Sequence, residues 1–94
     1  MDSLEMEIMR GERAEQLLRE PLLTEAFEII EQEYMAQWKN SPARDEAGRE
    51  KLWLMLKLLG QVHGQLQAVV NTGTFAKATL VQRAGQTLSS VFSR

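Results

Sequence analysis

The sequence predicts a small all-α protein. We expect an antiparallel helical hairpin with a short N-terminal helix and a C-terminal tail or short helix, assembled into an oligomeric bundle or ring. Apolar residues recur at spacings of three and four over two long stretches, which is the helical period. The only two prolines, Pro21 and Pro42, stand where those stretches begin. A short connection between two amphipathic helices favours antiparallel packing.

The 94 residues are expected to form a single helical domain, 1–94, whose first segment is residues 1–20. A fragmentary apolar stripe in that segment consists of Leu4, Ile8, Ala14, Leu17 and Leu18. Gly11 interrupts the stripe, and a glycine inside a helix costs roughly 1 kcal/mol relative to alanine. We therefore expect a frayed turn followed by a short helix from about Glu12.

The hairpin is expected over residues 21–71, and its first helix over Pro21–Lys39. Proline is favoured at the first helical position, where its missing N–H costs nothing. The apolar face of this helix is formed by Leu23, Phe27, Ile30, Tyr34 and Trp38. The residue before a proline avoids the helical region, so Ser41 before Pro42 ends the helix.

The second hairpin helix is expected from Pro42 to about Asn71, with Ser41 or Asp45 as its N-cap. An apolar seam follows heptad spacing through Leu52, Met55, Leu59, Val62, Leu66 and Val69. Gly73 is placed as the C-terminal stop. The side chains predicted to be largely buried in the hairpin are Phe27, Ile30, Tyr34, Leu52, Leu59 and Leu66.

Residues 74–94 are expected to form a basic tail, in which Thr74 caps a short helix. The tail contains Lys77, Arg83 and Arg94 and no acidic side chain. In residues 1–40, acidic side chains far outnumber the bases Arg10, Arg13, Arg19 and Lys39. The three tail bases form a weak candidate nucleic-acid site, because they are few and the acidic half repels phosphate.

The uncharged half of the second hairpin helix is the candidate protein interface. Between Leu52 and Ala76 the only formally charged side chain is Lys57. This half contains Trp53, and tryptophan is enriched in binding hot spots. It also contains a strip of small residues at intervals of four, Gly60, Gly64 and Ala68, which leaves room for another helix to approach. The alternative is that these small residues belong to an exposed glutamine-rich face. The predicted interface residues of this helix are Trp53, Leu54, Lys57, Leu58, Gly60, Gly64 and Ala68. Phe75 and Phe92 of the tail are added to them as anchors for a partner, the alternative being that they fold back onto the hairpin.

Catalytic and metal-binding patterns are absent from the sequence. There is no cysteine, and His63 is the only histidine. No carboxylate at helical spacing accompanies His63, and no Gly-rich phosphate loop or Gly-x-Ser-x-Gly elbow occurs. We expect a partly buried, hydrogen-bonded histidine, no enzymatic activity and no cofactor or metal. The longest apolar run is too short for a membrane span, and the N-terminus has no signal core.

Five segments between Arg13 and Gly73 carry a resemblance to a group of viral proteins. They are Ala14-Glu15-Gln16-Leu17-Leu18, Pro21-Leu22-Leu23 leading to Ala26-Phe27-Glu28, Trp38-Lys39-Asn40-Ser41-Pro42-Ala43-Arg44-Asp45, Arg49-Glu50-Lys51-Leu52-Trp53 and Val69-Val70-Asn71-Thr72-Gly73. This stretch resembles short helical proteins encoded among the head-morphogenesis and packaging genes of tailed bacteriophages. The resemblance implies self-association, binding to another phage structural or packaging protein, and location in the host cytoplasm or the virion.

Three hypotheses follow for the function. The first is a non-enzymatic oligomeric interaction module that acts as a phage head-assembly or packaging accessory protein. The second is a small DNA-packaging subunit of the terminase type that recruits DNA or the packaging motor. The third is a phage inhibitor of a host defence enzyme, acting through the acidic helices.

Overall fold

A computed structural model describes the backbone of residues 2–92 and the side chains of residues 2–89. That part of the chain consists of three α-helices and contains no strand: α1 is Ser3–Arg19, α2 is Pro21–Asn40 and α3 is Glu46–Phe92. The all-α prediction is confirmed.

Helix α1 continues without interruption through Gly11. The expected frayed turn and the start near Glu12 are therefore wrong. Gly11 is buried, and a Cβ atom on it would lie 2.8 Å from the Cα atom of Gly73. This close approach requires a residue without a side chain, and the packing it permits outweighs the poor helix propensity of glycine.

Helix α2 agrees with its predicted bounds to within one residue, and Pro21 occupies its first turn. The Glu20 carboxylate accepts a hydrogen bond from the Leu22 backbone N–H at 3.4 Å. At the other end, the Ser41 hydroxyl donates to the Trp38 carbonyl at 2.6 Å. These bonds satisfy backbone groups that have no partner inside the helix.

Helix α3 begins at Glu46, four residues later than the expected start at Pro42. Asp45 is its N-cap, because the Asp45 carboxylate accepts from the Gly48 backbone N–H at 3.1 Å. One of the two predicted caps is thereby confirmed, and Pro42 lies in the connection instead of in the first turn.

The predicted stop at Gly73 is wrong, because α3 continues to Phe92. No glycine among the described residues adopts the positive φ angle typical of a helix C-cap. Thr74 lies inside the helix, where its hydroxyl donates to the Val70 carbonyl at 3.1 Å. The expected tail over residues 74–94 is thus helical as far as the structure describes it.

The described residues fall into two compact units. The small-residue unit contains the chain up to Gln16 and from Leu66 onward, and the central unit is Leu17–Gln65. In the small-residue unit, α1 and α3 pack against each other where Gly11 meets Gly73. Ala14 and Ala76 lie three residues further along their respective helices and are also buried. Ala14 is 4 % exposed and Ala76 is 0 % exposed.

In the central unit, contacts join α2 to α3. The Phe27 and His63 rings meet edge to face with their centroids 6.2 Å apart. The Arg49 guanidinium lies 4.0 Å from the centroid of the Trp38 ring. The early part of α2 therefore contacts the middle of α3, and its late part contacts the first turns of α3.

The predicted burial of large side chains is wrong. Among the described residues, only Gly11, Ala14, Gly73 and Ala76 are buried. Of the six side chains expected in the core, Ile30 is 37 % exposed and the others are half-buried: Phe27, Tyr34, Leu52, Leu59 and Leu66. A helix that contacts its neighbours along one narrow stripe leaves the flanks of its apolar face uncovered.

Candidate protein-interaction surface

A row of exposed apolar side chains runs along α3 in the central unit. Leu54, Leu58 and Val62 follow each other at intervals of four residues, which places them on one helix face. Their exposed fractions are 49 %, 60 % and 54 %. Lys51 precedes Leu54 by three residues and extends the same face, so we define the α3 row as Lys51, Leu54, Leu58 and Val62. The predicted interface residues Leu54 and Leu58 are thus uncovered in the chain itself.

Val62 was expected in the buried seam and instead belongs to the exposed row. At about 100° per residue, Val62 lies about 60° around the helix from Leu59, which places it at the edge of the covered face. Leu56 and Leu59 are half-buried, which places the covered face of α3 between them in this region.

Trp53 and Lys57 lie on the other flank of α3 and contact each other. The Lys57 ammonium lies 5.2 Å from the centroid of the Trp53 ring, within the range of a cation–π interaction. Trp53 remains 52 % exposed. The pair combines an uncovered aromatic surface with a charge whose hydrocarbon stem can pack along it.

The small residues Gly60, Gly64 and Ala68 have open space around them. A Cβ atom on Gly60 or Gly64 would meet nothing within 4 Å, and Ala68 is exposed. No other part of the described chain approaches the two glycines closely. Their predicted role at a contact therefore depends on a second molecule.

The remaining predicted residues lie in the C-terminal part of α3. Phe75 is 74 % exposed, and Lys77 and Arg83 are exposed. Lys77 borders a groove that also contains Glu12 and Glu15. The side chain of Phe92 and the whole of Arg94 lie outside the described residues.

Helix α2 carries a second exposed row. Leu22, Ala26, Ile29 and Glu33 follow at spacings of four, three and four, and all four are exposed. Leu22 is 72 % exposed and Ile29 is 46 % exposed. We call these four residues the α2 row. The helical positions of Leu22, Ala26 and Ile29 set them apart from Phe27 and Trp38, so the α2 row lies outside the predicted apolar face of this helix.

His63 borders a cavity of about 210 Å³ together with Phe27, Glu28 and Glu31. The two carboxylates come from α2, a proximity that spacing within the sequence does not reveal. His63 is exposed, and the structure gives it no hydrogen bond, so the expectation of a partly buried, hydrogen-bonded histidine is wrong. Among the described residues, no group of three or more histidine, cysteine, aspartate and glutamate side chains is arranged to hold a metal ion.

Arg49 organises the connection between α2 and α3, a role that sequence reasoning missed. Its Nη1 atom donates to the Ser41 hydroxyl at 2.8 Å and to the Trp38 carbonyl at 3.2 Å, while the guanidinium stacks over the Trp38 ring. A guanidinium satisfies acceptors in its plane while its face covers an aromatic ring. The sequence signal that could have predicted this contact is the position of Trp38 shortly before the connection and of Arg49 shortly after it.

Comparisons of the chain with protein-family models, with curated proteins and with solved structures give no match. Within residues 2–92, no helix combines the length and the apolar character needed to cross a membrane. The assignment of function therefore depends on the surfaces just described.

Proposed function

We propose that this chain is a non-enzymatic, homo-oligomeric protein-interaction module whose self-association surface is the uncharged half of α3. One observation carries the proposal. Fifteen large hydrophobic side chains are exposed in the described chain, while its buried hydrophobic residues are two alanines. Monomeric soluble proteins rarely leave so much apolar surface uncovered, so a second protein surface is expected to cover it.

The total accessible surface supports the same conclusion. The chain exposes 7680 Å², whereas a monomer of its mass, 10.7 kDa, typically exposes about 5,500 Å². The surplus is larger than the roughly 800 Å² per partner that a standard protein interface buries. Association would therefore bring the surface of each copy towards that of an ordinary globular protein.

The scaffold of this surface is an antiparallel hairpin of α2 and α3. Support comes from the order of the contacts, because Phe27 pairs with His63 while the later residue Trp38 pairs with the earlier residue Arg49. In such a hairpin each helix has one covered side and two uncovered flanks. On α3 one flank is the α3 row, and the other contains Trp53, Lys57 and the small residues Gly60, Gly64 and Ala68.

The biological setting that we propose is phage head assembly or DNA packaging, with a location in the host cytoplasm or the virion. It rests on the resemblance described for residues 13–73 and on the extent of the exposed apolar surface. A further partner would then be another phage structural or packaging protein. Inhibition of a host defence enzyme remains a hypothesis without a structural feature that favours it.

A DNA-recruiting subunit is the second candidate function. Exposed Lys77 and Arg83 favour it, since bases on one helix can neutralise phosphates. Glu12 and Glu15 beside Lys77 oppose it, because they make that groove partly acidic. A gel-shift titration at low and moderate salt separates the two candidates: retarded DNA supports the packaging subunit, and free DNA supports the interaction module.

Light scattering coupled to size exclusion, at tens of micromolar protein, tests the proposed function. The expected mass of the unmodified chain is a multiple of 10.7 kDa. Leu58→Lys places a charge in the middle of the α3 row and should lower that mass. Val81→Lys is the matched control, because Val81 is 65 % exposed on the same helix but outside the row. Equal masses for both variants and the unmodified chain would contradict the assigned surface.

A further inference from the structure

We infer that the α3 row of one copy binds the α2 row of a second copy, with the two helices antiparallel and Glu33 opposite Lys51. The inference rests on the proposed self-association and identifies the complementary surface, the register and the charged pair. Both rows lie in the central unit, and both are exposed along their whole length.

The two rows match in length and in the order of their side chains. Each extends from a residue i to i+11, from Leu22 to Glu33 on α2 and from Lys51 to Val62 on α3. At a rise of 1.5 Å per residue, both therefore span roughly 16 Å. Each row has three apolar positions and one charge at its end, acidic on α2 and basic on α3.

Antiparallel docking places apolar residues opposite apolar residues and the acidic residue opposite the basic one. Leu22 then faces Val62, and Glu33 faces Lys51, at opposite ends of the contact. Between them the small side chain of Ala26 faces Leu58, and Ile29 faces Leu54. A large residue opposite a small one lets the two helices interdigitate, as ridges fit into grooves in helix packing.

Parallel docking would leave both charges against apolar side chains. Glu33 would then lie at the end of the row that contains Val62, and Lys51 would lie at the end that contains Leu22. A charge removed from water without a partner costs far more than a paired one. Opposite potentials therefore select one orientation, as they do at other protein interfaces.

Glu33 and Lys51 are available for this pairing. Both are exposed, and the structure gives neither a hydrogen bond nor an ion pair. Pairing the α2 row with the α2 row of another copy would instead bring two Glu33 side chains to the contact and no base to pair with them. Like charges across a contact disfavour it, so α3 is the better partner for α2.

Cysteine cross-linking tests the register directly, because the chain has no cysteine of its own. Glu33→Cys chains are mixed with Lys51→Cys chains under mild oxidation, and products are separated on a denaturing gel without reductant. We expect a disulfide-linked heterodimer as the main product. The matched control replaces Glu33→Cys by Glu28→Cys, which lies on another side of α2, and should yield little cross-linked product. Cross-linking of Lys51→Cys chains to each other, or equal yields for Glu28→Cys and Glu33→Cys, would overturn the inference.

A charge exchange provides the second arm. Glu33→Lys and Lys51→Glu should each reduce the oligomer fraction measured by light scattering, and the chain with both changes should recover it. If the unmodified protein is oligomeric but the double variant does not recover the oligomer fraction, the α2–α3 pairing is wrong. Self-association itself would still hold in that case. A monomeric unmodified protein would instead overturn the proposed function itself.

Discussion

Gly11 of α1 and Gly73 of α3 pack backbone against backbone: a Cβ atom on Gly73 would lie 2.8 Å from the Cα atom of Gly11 and 3.0 Å from the carbonyl oxygen of Glu7. Real Cβ atoms do not approach backbone atoms this closely, so neither position accepts a side chain without movement of a helix. Ala14 and Ala76, one turn further along their respective helices, are also buried. Small residues rather than large ones therefore form the tightest packing in the small-residue unit.

Gly11→Ala is expected to destabilise the fold by roughly 1–2 kcal/mol, because strain from overpacking exceeds the gain in helix propensity. Gly85→Ala is the matched control, since a Cβ atom there meets nothing within 4 Å. That control should gain up to about 1 kcal/mol. Urea unfolding followed by circular dichroism, at one fixed protein concentration, measures both. A Gly11→Ala chain as stable as the control would contradict the close packing.

Arg49→Lys should lower the free energy of unfolding by about 1 kcal/mol, because lysine keeps the charge but loses the planar stack on Trp38 and the shared hydrogen bonds. The control is Arg44→Lys, in the connection between α2 and α3, where Arg44 is exposed and the structure gives it no partner. Thermal unfolding of the two variants is compared with that of the unmodified chain. If both shift the midpoint equally, Arg49 has no special role in holding the connection.

Asp45→Ala removes the N-cap of α3 and should cost about 0.5–2 kcal/mol. Asp45→Asn retains an oxygen that can accept from the Gly48 N–H, so most of the stability should return. Chemical unfolding of the pair separates capping from charge. An asparagine variant as unstable as the alanine variant would show that the carboxylate acts through its charge and not through the cap.

Gly64→Leu should reduce assembly more than helicity, because leucine favours the helix while it fills the space that a copy bound to the Trp53 flank of α3, opposite the α3 row, would use. No atom of the described chain lies within 4 Å of a Cβ atom at this position, so the fold of one copy accommodates the change. Circular dichroism should show unchanged or higher helix content, while light scattering shows a smaller mass. An unchanged mass would show that the small residues Gly60, Gly64 and Ala68 are exposed to solvent and are not part of a contact between copies.

Local signals made α2 and one of the two candidate N-caps of α3 predictable from the sequence. Pro21 marks the first turn of α2, and Asp45 caps α3 through a backbone N–H three residues away. Each signal acts over a few residues, so the pattern alone is enough to locate it. The exposure of Leu54 and Leu58 was also predictable, because both lie off the Leu52–Leu59–Leu66 line, whereas Val62 was placed wrongly in the seam.

The predictions for Gly11 and Gly73 were wrong because each glycine is required by its contact with the other. Taken singly, a glycine weakens or ends a helix, and this led to the expected fray near Glu12 and the expected stop before Thr74. The contact that reverses both readings joins positions far apart in the sequence. The role of Arg49 was missed for a related reason, since its partners Trp38 and Ser41 belong to the end of the preceding helix.

Self-association of the unmodified chain is the central claim, and sedimentation velocity over a wide range of protein concentrations tests it most directly. We expect a mass that is a multiple of 10.7 kDa at tens of micromolar and that falls towards the monomer on dilution. A single species of 10.7 kDa at every concentration, with no other protein present, would contradict the claim. The exposed rows on α2 and α3 would then have to be covered by a different protein.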